Sequence, residues 1–130
     1  MKKFLLFLLL GVLFIGCSEK SNFMLPVDQM EYRKIAYDSL SEEQKATLTT
    51  DWKEAEVEQG NYLLKDNINW IVFDSGNKSG FALMKSDVVL INNQPLVLVI
   101  FHTKVDALLG PIALIIEPGT KEIVGGFLRY

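Results

Sequence analysis

Leu96-Val97-Leu98-Val99-Ile100-Phe101 is apolar at every position, and this stretch decides the fold that we expect for the 130-residue chain. A strand buried on one face alternates apolar and polar residues, whereas a run without alternation predicts a strand with both faces covered. Its β-branched and aromatic residues favour strand over helix. We therefore expect a central strand at 96–103, with a packing layer on each side.

Shorter runs of similar composition lie on both sides of this strand, beginning after Gly60-Asn61. Turn residues such as Gly, Asn, Pro and Ser bound each run, and connections this short favour antiparallel neighbours. The predicted strands are 69–74, 81–84, 88–91, 96–103, 112–117 and 123–128.

The residues before the strands predict one or two helices. Apolar residues recur at helical spacing after Asp28, which forms a capping-box pattern with Glu31. A second start signal is Ser41, because Ser41 and Gln44 can cap each other's backbone N–H groups. The second helix is predicted from about Ser41 to Trp52. The expected fold class is α+β, a roll with one or two N-terminal helices packed on an antiparallel sheet of four to six strands.

The first seventeen residues have the form of a secretion signal. Two lysines precede an apolar run of 12 residues from Phe4 to Ile15, whereas a helix that spans a bilayer needs about 20. A charged start and a short apolar run are typical of a cleavable signal. Gly16 is followed directly by Cys17, the only cysteine in the chain. The alternative is a short uncleaved anchor in which Cys17 is an ordinary buried thiol.

The segment Leu13-Phe14-Ile15-Gly16-Cys17 resembles the lipobox of bacterial lipoproteins. The resemblance implies cleavage after Gly16 and a diacylglyceryl group on Cys17. Two or more acyl chains hold a protein stably on a bilayer, so we expect a lipid anchor in the cell membrane and an extracytoplasmic location. The predicted division is a signal peptide at 1–16, a lipidated cysteine and tether at 17–27, and a single α+β domain at 28–130.

The charge balance argues against several classes of partner and site. After cleavage, 11 of the 13 basic residues and all 16 acidic residues remain, which is a formal charge of −5. Nucleic acids and anionic headgroups select basic patches, and the chain has no cluster of Lys or Arg. Acylated Cys17 leaves no thiol for a disulfide, a thiolate metal site or a nucleophile. We expect no nucleic acid, no metal and no cofactor.

Segments 40–45, 51–53, 106–112 and 117–125 together resemble small uncharacterised exported proteins of Gram-positive bacteria. No activity comes with that resemblance. The final hairpin, in which an acidic residue and a turn precede Glu122-Ile123-Val124-Gly125, is also similar to the end of PepSY domains and other cystatin-like rolls. The PepSY likeness implies a binding or inhibitory module of the envelope and not a catalyst.

His102 is the only histidine, and it ends an otherwise apolar strand. A general base needs an orienting carboxylate and a nucleophile. Asp106 is four residues further on and can reach the ring across a turn, whereas Thr103 should project to the opposite face of a regular strand. One hypothesis is therefore a small envelope hydrolase or transferase that uses His102 and Asp106. The alternative is a solvated or backbone-bonded histidine at a strand end.

The loop at 106–111 is the first candidate for a binding surface, since loops on a rigid sheet often bind partners. Its candidate residues are Asp106, Leu108, Leu109, Gly110 and Pro111. The plain alternative is that the two leucines tuck under the sheet edge. The leading functional hypothesis is a non-enzymatic interaction module of the envelope, whose ligand is another envelope protein, a peptide or a small apolar molecule held between helix and sheet.

Two further patterns have a plain and a functional interpretation. Trp52 and Trp70 are core or sheet-facing residues, or they form an aromatic platform for a ligand. Glu54, Glu56 and Glu58 alternate along the chain, which on a strand would place three carboxylates on one face. That face is either solvated or a weak cation site.

Overall fold

The computed structural model describes residues 26–128, and the structural statements below concern that range. The predicted signal peptide, the cleavage pair Gly16 and Cys17, and the tether up to residue 25 lie outside it. The elements in chain order are α1 (Pro26–Asp38), α2 (Glu42–Thr47), a 3₁₀ helix (Trp52–Glu54), β1 (Glu56–Lys65), β2 (Ile68–Phe73), β3 (Lys78–Leu83), β4 (Pro95–Phe101), α3 (Asp106–Leu109), β5 (Ile112–Glu117) and β6 (Glu122–Gly126).

The six strands close into an antiparallel barrel in the order β1-β2-β3-β6-β5-β4. The long strand β1 makes closure possible because its residues 56–61 pair with β4 and its residues 60–65 pair with β2. The predicted cystatin-like roll, an α+β fold with helices on an open sheet, is therefore wrong. Each strand has a neighbour on both sides, and the described helices are few and mostly short.

Gly60 explains why the sequence did not predict β1 as one strand. Gly60-Asn61 is typical of a turn, yet it lies in the middle of β1, where pairing passes from β4 to β2. A Cβ atom at Gly60 would lie 2.6 Å from Ile71 Cγ1 and 2.8 Å from the Val72 carbonyl oxygen. Glycine in a strand often marks such a close approach of a neighbour.

The prediction that both faces of the central strand are covered is confirmed. Val97, Val99 and Phe101 pack in a core between β4 and α1, whereas Leu96 and Leu98 point into the barrel. The α1 residues in the outer core are Tyr32, Ala36 and Leu40. Each large aliphatic side chain that is fully buried contributes about 1.5–3 kcal/mol of stability. The protein thus has two cores, one inside the barrel and one under α1.

Ser41 caps α2 as predicted. Its hydroxyl oxygen accepts the Gln44 backbone N–H at 3.1 Å, and the Gln44 side-chain oxygen accepts the Ser41 N–H at 3.0 Å. The capping box predicted at Asp28 is wrong, because α1 already begins at Pro26. Proline suits the first helical position, since the N–H it lacks has no partner there in any helix.

The predicted extension of the second helix to Trp52 is wrong. α2 ends where the chain meets the end of β4. Leu48 forms an isolated β-bridge with Thr103, and the Thr49 N–H donates to the His102 carbonyl oxygen at 3.0 Å. These tertiary contacts hold residues after α2 in extended conformation.

The predicted strand at 88–91 is also wrong, although the other five are present with ends that differ by up to three residues. Val88 and Leu90 pack against the core inside the barrel. Val89 and Ile91 are 84% and 71% exposed. The alternation arises because every second side chain is partly buried. No named strand of the described chain pairs with this segment.

Barrel closure ends at a short seam between β3 and β6. Ala82 pairs with Gly126, and Leu83 pairs with Gly125. A Cβ atom at Gly125 would lie 2.5 Å from the Ala82 carbonyl oxygen and 2.8 Å from Phe81 Cδ2. The seam therefore requires a residue without a side chain at this position.

Gly125→Ala should lower the free energy of unfolding by about 1–3 kcal/mol, the range for overpacking, because a backbone oxygen cannot move aside as a flexible side chain can. Gly80→Ala is the matched control in the neighbouring strand. Its new methyl group would lie 3.5 Å from the nearest heavy atom, Ile68 Cγ2, which is an ordinary contact. Urea unfolding of both variants measures the difference. Equal losses of stability would contradict the requirement for glycine at the seam.

Candidate functional site

The predicted binding loop lies where β4 passes to β5, and we call residues 102–111 the α3 corner. α3 is a single helical turn that ends at Leu109 and is followed by the C-cap residue Gly110, whose φ is 74°. The side chain of Leu108 is 82% exposed and that of Leu109 is 40% exposed. The alternative in which both leucines tuck under the sheet edge is therefore wrong.

The Asp106 carboxylate fixes the α3 corner to the end of β4. Its Oδ2 lies 2.9 Å from His102 Nδ1. Its Oδ1 accepts hydrogen bonds from the backbone N–H and the hydroxyl of Thr103, each at 2.8 Å. The expected contact between Asp106 and His102 is confirmed. Thr103 is buried while His102 is exposed, as alternation predicts, yet one carboxylate reaches both because the regular strand has ended at Phe101.

Glu56 is a second partner of His102, and the sequence did not indicate this contact. Its Oε1 lies 3.5 Å from His102 Nε2. The contact exists because β1 and β4 pair Glu56 with Ile100, two residues before His102. The alternating residues around Glu56 indicated a strand, but no local signal named its neighbour. The imidazole ring consequently stands between two carboxylates, one at each nitrogen.

The two carboxylates favour the charged form of the ring. The hydrogen bond that the ring donates to Asp106 is the largest influence and raises the pKa of His102 above 6.5. Partial burial lowers this pKa, and Glu56 raises it further. Partial burial alone would raise the pKa of Asp106, but the hydrogen bonds from Thr103 and His102 together lower it. Both carboxylates therefore favour the imidazolium form of the ring over the neutral form.

This arrangement is better suited to holding charge than to moving protons. An imidazolium ion with both nitrogens paired has no lone pair to accept a proton from a nucleophile. The neighbouring Thr103 hydroxyl donates to Asp106 and not to the ring. The geometry favours a structural clamp over a general base at His102.

The acidic residues do not converge on one point. Within residues 26–128, no group of three His, Cys, Asp or Glu side chains is arranged to hold a metal ion. Glu56 and Asp106 contact opposite nitrogens of one ring. The alternating glutamates divide between two elements, since Glu54 ends the 3₁₀ helix while Glu56 and Glu58 belong to β1.

A groove of about 360 Å³ separates the first turns of α1 from the middle of β1. Its lining combines the acidic residues Asp28 and Asp74 with apolar residues such as Tyr32, Leu96 and Val97. Beneath α1, the side chains of Ala36, Val99 and Ile116 are completely buried. A further groove of about 410 Å³ lies between the second half of α1 and strands β5 and β6, and its apolar lining includes Ile35, Leu40, Leu114 and Ile123.

The two tryptophans have different surroundings. Trp52 stacks on Tyr37 of α1 with 5.6 Å between the ring centroids. Trp70 lies on β2, and the Nζ atom of Lys78 in the neighbouring strand β3 is 4.5 Å from the centroid of its ring. Trp52 packs against the core under α1, whereas Trp70 lies outside both cores.

Among residues 26–128, no helix combines the length and the apolar character needed to cross a membrane.

Comparison of the chain with protein-family models, with curated proteins and with solved structures finds no match in any of the three. The resemblances to lipoproteins, to small exported proteins and to PepSY domains therefore stay predictions. The functional argument rests on the residues themselves.

The His102 clamp should stabilise the folded protein most at acidic pH. Because the folded-state pKa lies above 6.5, the contribution is complete below that value and is lost as the pH rises through the raised pKa. The lowered pKa of Asp106 makes the stability of the folded protein change with pH only at strongly acidic pH. Its contribution is present above 3.8 and is lost as the pH falls through the lowered value.

His102→Gln removes the titrating ring, and thermal unfolding of both proteins between about pH 5 and pH 8 measures its effect. The melting temperature of the natural protein should exceed that of the variant at low pH, and the gap should shrink as the pH rises. Glu56→Gln is the control. It should change the melting temperature less, because Glu56 Oε1 lies 3.5 Å from one ring nitrogen whereas Asp106 Oδ2 lies 2.9 Å from the other. A gap that is constant with pH would contradict a charged ring.

Proposed function

We propose that this protein is a lipid-anchored interaction module of the bacterial cell envelope, and that its α3 corner contacts another envelope protein. The sequence supports the anchor, because a short apolar run leads directly to Gly16-Cys17. The proposed location is the extracytoplasmic face of the cell membrane. No catalytic residue and no cofactor are part of this proposal.

The observation that carries the proposal is a leucine held in solvent by a rigid support. A single exposed apolar residue is common on protein surfaces, but Leu108 is 82% exposed on a turn whose first residue, Asp106, bonds both His102 and Thr103. Fixing a loop in advance reduces the entropy lost when it binds a partner. Leu108 and Leu109 therefore have the properties of an interface anchor.

The surroundings of these leucines suit a protein or peptide partner. Protein interfaces place apolar residues at the centre and polar residues at the rim. Lys104 and Glu56 are exposed beside the α3 corner, so both signs of charge are available at such a rim.

The anchor is tested by the mass of the mature protein purified from membranes. The expected N-terminal residue is Cys17 with attached acyl chains, because cleavage after Gly16 exposes it. Cys17→Ser should leave the protein unanchored. An unmodified cysteine, or a chain that still begins at Met1, would overturn the anchor.

Contact through the α3 corner is tested with a photo-reactive amino acid at position 108 in intact cells. We expect a discrete protein adduct, and Asp106→Ala should reduce its yield because the turn is no longer fixed. Position 89 is the matched control, since Val89 is 84% exposed and Leu108 is 82% exposed. The same adducts from both positions, or none from position 108, would contradict the proposed interface.

A further inference from the structure

A second group of exposed apolar side chains lies on two tips of the barrel. Val89 and Ile91, in the loop that joins β3 to β4, are 84% and 71% exposed. Leu64 and Ile68, at the tip of the β1–β2 hairpin, are 50% and 44% exposed. We call these four residues the apolar end.

Three hydrogen bonds hold the two tips side by side. The Leu64 N–H donates to Asn92 Oδ1 at 2.9 Å. The Asn93 N–H donates to the Tyr62 carbonyl oxygen at 2.8 Å, and the Tyr62 N–H donates to the Gln94 carbonyl oxygen at 2.8 Å. The two tips are therefore neighbours at one end of the barrel. Because Ile68 pairs with Lys65, Leu64 and Ile68 lie on opposite faces of the hairpin.

The apolar end and the α3 corner are at opposite ends of the barrel. β1 starts at Glu56, beside His102, and runs for 10 residues to the hairpin tip. A strand rises about 3.3 Å per residue, so roughly 30 Å of strand separate the two ends. A partner at one end leaves the other end accessible.

The chain enters the domain beside the apolar end. Glu31, in the first half of α1, forms an ion pair of 2.6 Å with Lys121 in the β5–β6 turn. Thr120 of that turn lines the same groove as Val89. The start of α1, the β5–β6 turn and the loop that carries Val89 are consequently neighbours.

The connection to the predicted anchor is short. Eight residues lie between Cys17 and Pro26, and an extended chain of that length spans at most about 30 Å. An acylated Cys17 would therefore keep the start of α1 within about 30 Å of the bilayer. The end of the barrel nearest to that point is the apolar end.

We propose that the apolar end rests on the phospholipid headgroup layer of the membrane that carries the anchor, so that the α3 corner points away from the membrane. This orientation rests on the lipid anchor proposed above. Aliphatic side chains on separate tips can enter the interfacial region one by one.

The charges on the two tips fit a zwitterionic headgroup layer. Lys65 and Asp66 lie at the hairpin tip, and Lys85 and Asp87 lie in the loop, so the positive and negative side chains balance. A surface that selected anionic lipids would need an excess of basic residues. The acyl chains supply the affinity, and the apolar end sets the orientation.

The two natural tryptophans can report this orientation. Trp70 is two residues from Ile68 on β2, which is about 7 Å along the strand. Trp52 precedes β1 at the opposite end and stacks on Tyr37. Trp52→Phe leaves Trp70 as the reporter of the apolar end, and Trp70→Phe leaves Trp52 as the matched control.

The experiment places the full mature lipoprotein in phosphatidylcholine vesicles that contain a nitroxide-labelled headgroup lipid. We expect the nitroxide to quench Trp70 several-fold more strongly than Trp52. Changing Val89 and Ile91 together to Asp should reduce the quenching of Trp70 while the protein stays bound through its acyl chains. Because both substitutions are at exposed positions, the folded barrel should tolerate them.

The outcomes separate the orientation from the anchor. Protein that floats with the vesicles but shows equal quenching at both positions, or stronger quenching at Trp52, would overturn the orientation alone. Protein that does not float, with an unmodified Cys17 by mass, would overturn the anchor and with it the orientation.

Discussion

Backbone pairing along β1 is the constraint on which the structure depends. The first part of β1 pairs with β4 and the second part pairs with β2, so this strand joins the two sides of the barrel. The change of partner takes place at Gly60, where a side chain would collide with Ile71. Closure gives neighbours to strand edges that would otherwise expose unpaired N–H and C=O groups. Both cores follow, because a barrel wall covered by α1 buries apolar side chains on its inner and outer faces.

The same pairing builds the α3 corner. The register of β1 and β4 brings Glu56 beside His102, although the two residues are far apart in the sequence. Asp106 supplies the second carboxylate from the turn that follows. Residues after α2 also reach this place, since the Thr49 N–H binds the His102 carbonyl oxygen. One titratable ring thus links β1, the end of β4 and α3, and its charge is favoured by the two acidic groups around it.

The two ends of the barrel differ in chemistry, and this difference connects the proposed location with the proposed interaction. One end has a charged clamp that supports Leu108, and the other has Leu64, Ile68, Val89 and Ile91 on two neighbouring tips. A protein held by lipid at its N-terminus has one side near the bilayer and one side that meets other proteins. The proposed orientation assigns the aliphatic tips to the first side and the leucine turn to the second.

The sequence by itself determined the features that depend on neighbouring residues. It predicted most strands, the double burial of β4, the cap at Ser41 and the reach of Asp106 to His102, because composition and spacing are local signals. Only the tertiary structure decided that the sheet closes, that β1 runs through Gly60, and that Glu56 completes the clamp. It also decided that Leu108 is exposed and that residues 88–91 have no strand partner. Strand pairing and burial join residues distant along the chain, and a local pattern of apolar residues is compatible with several such partners.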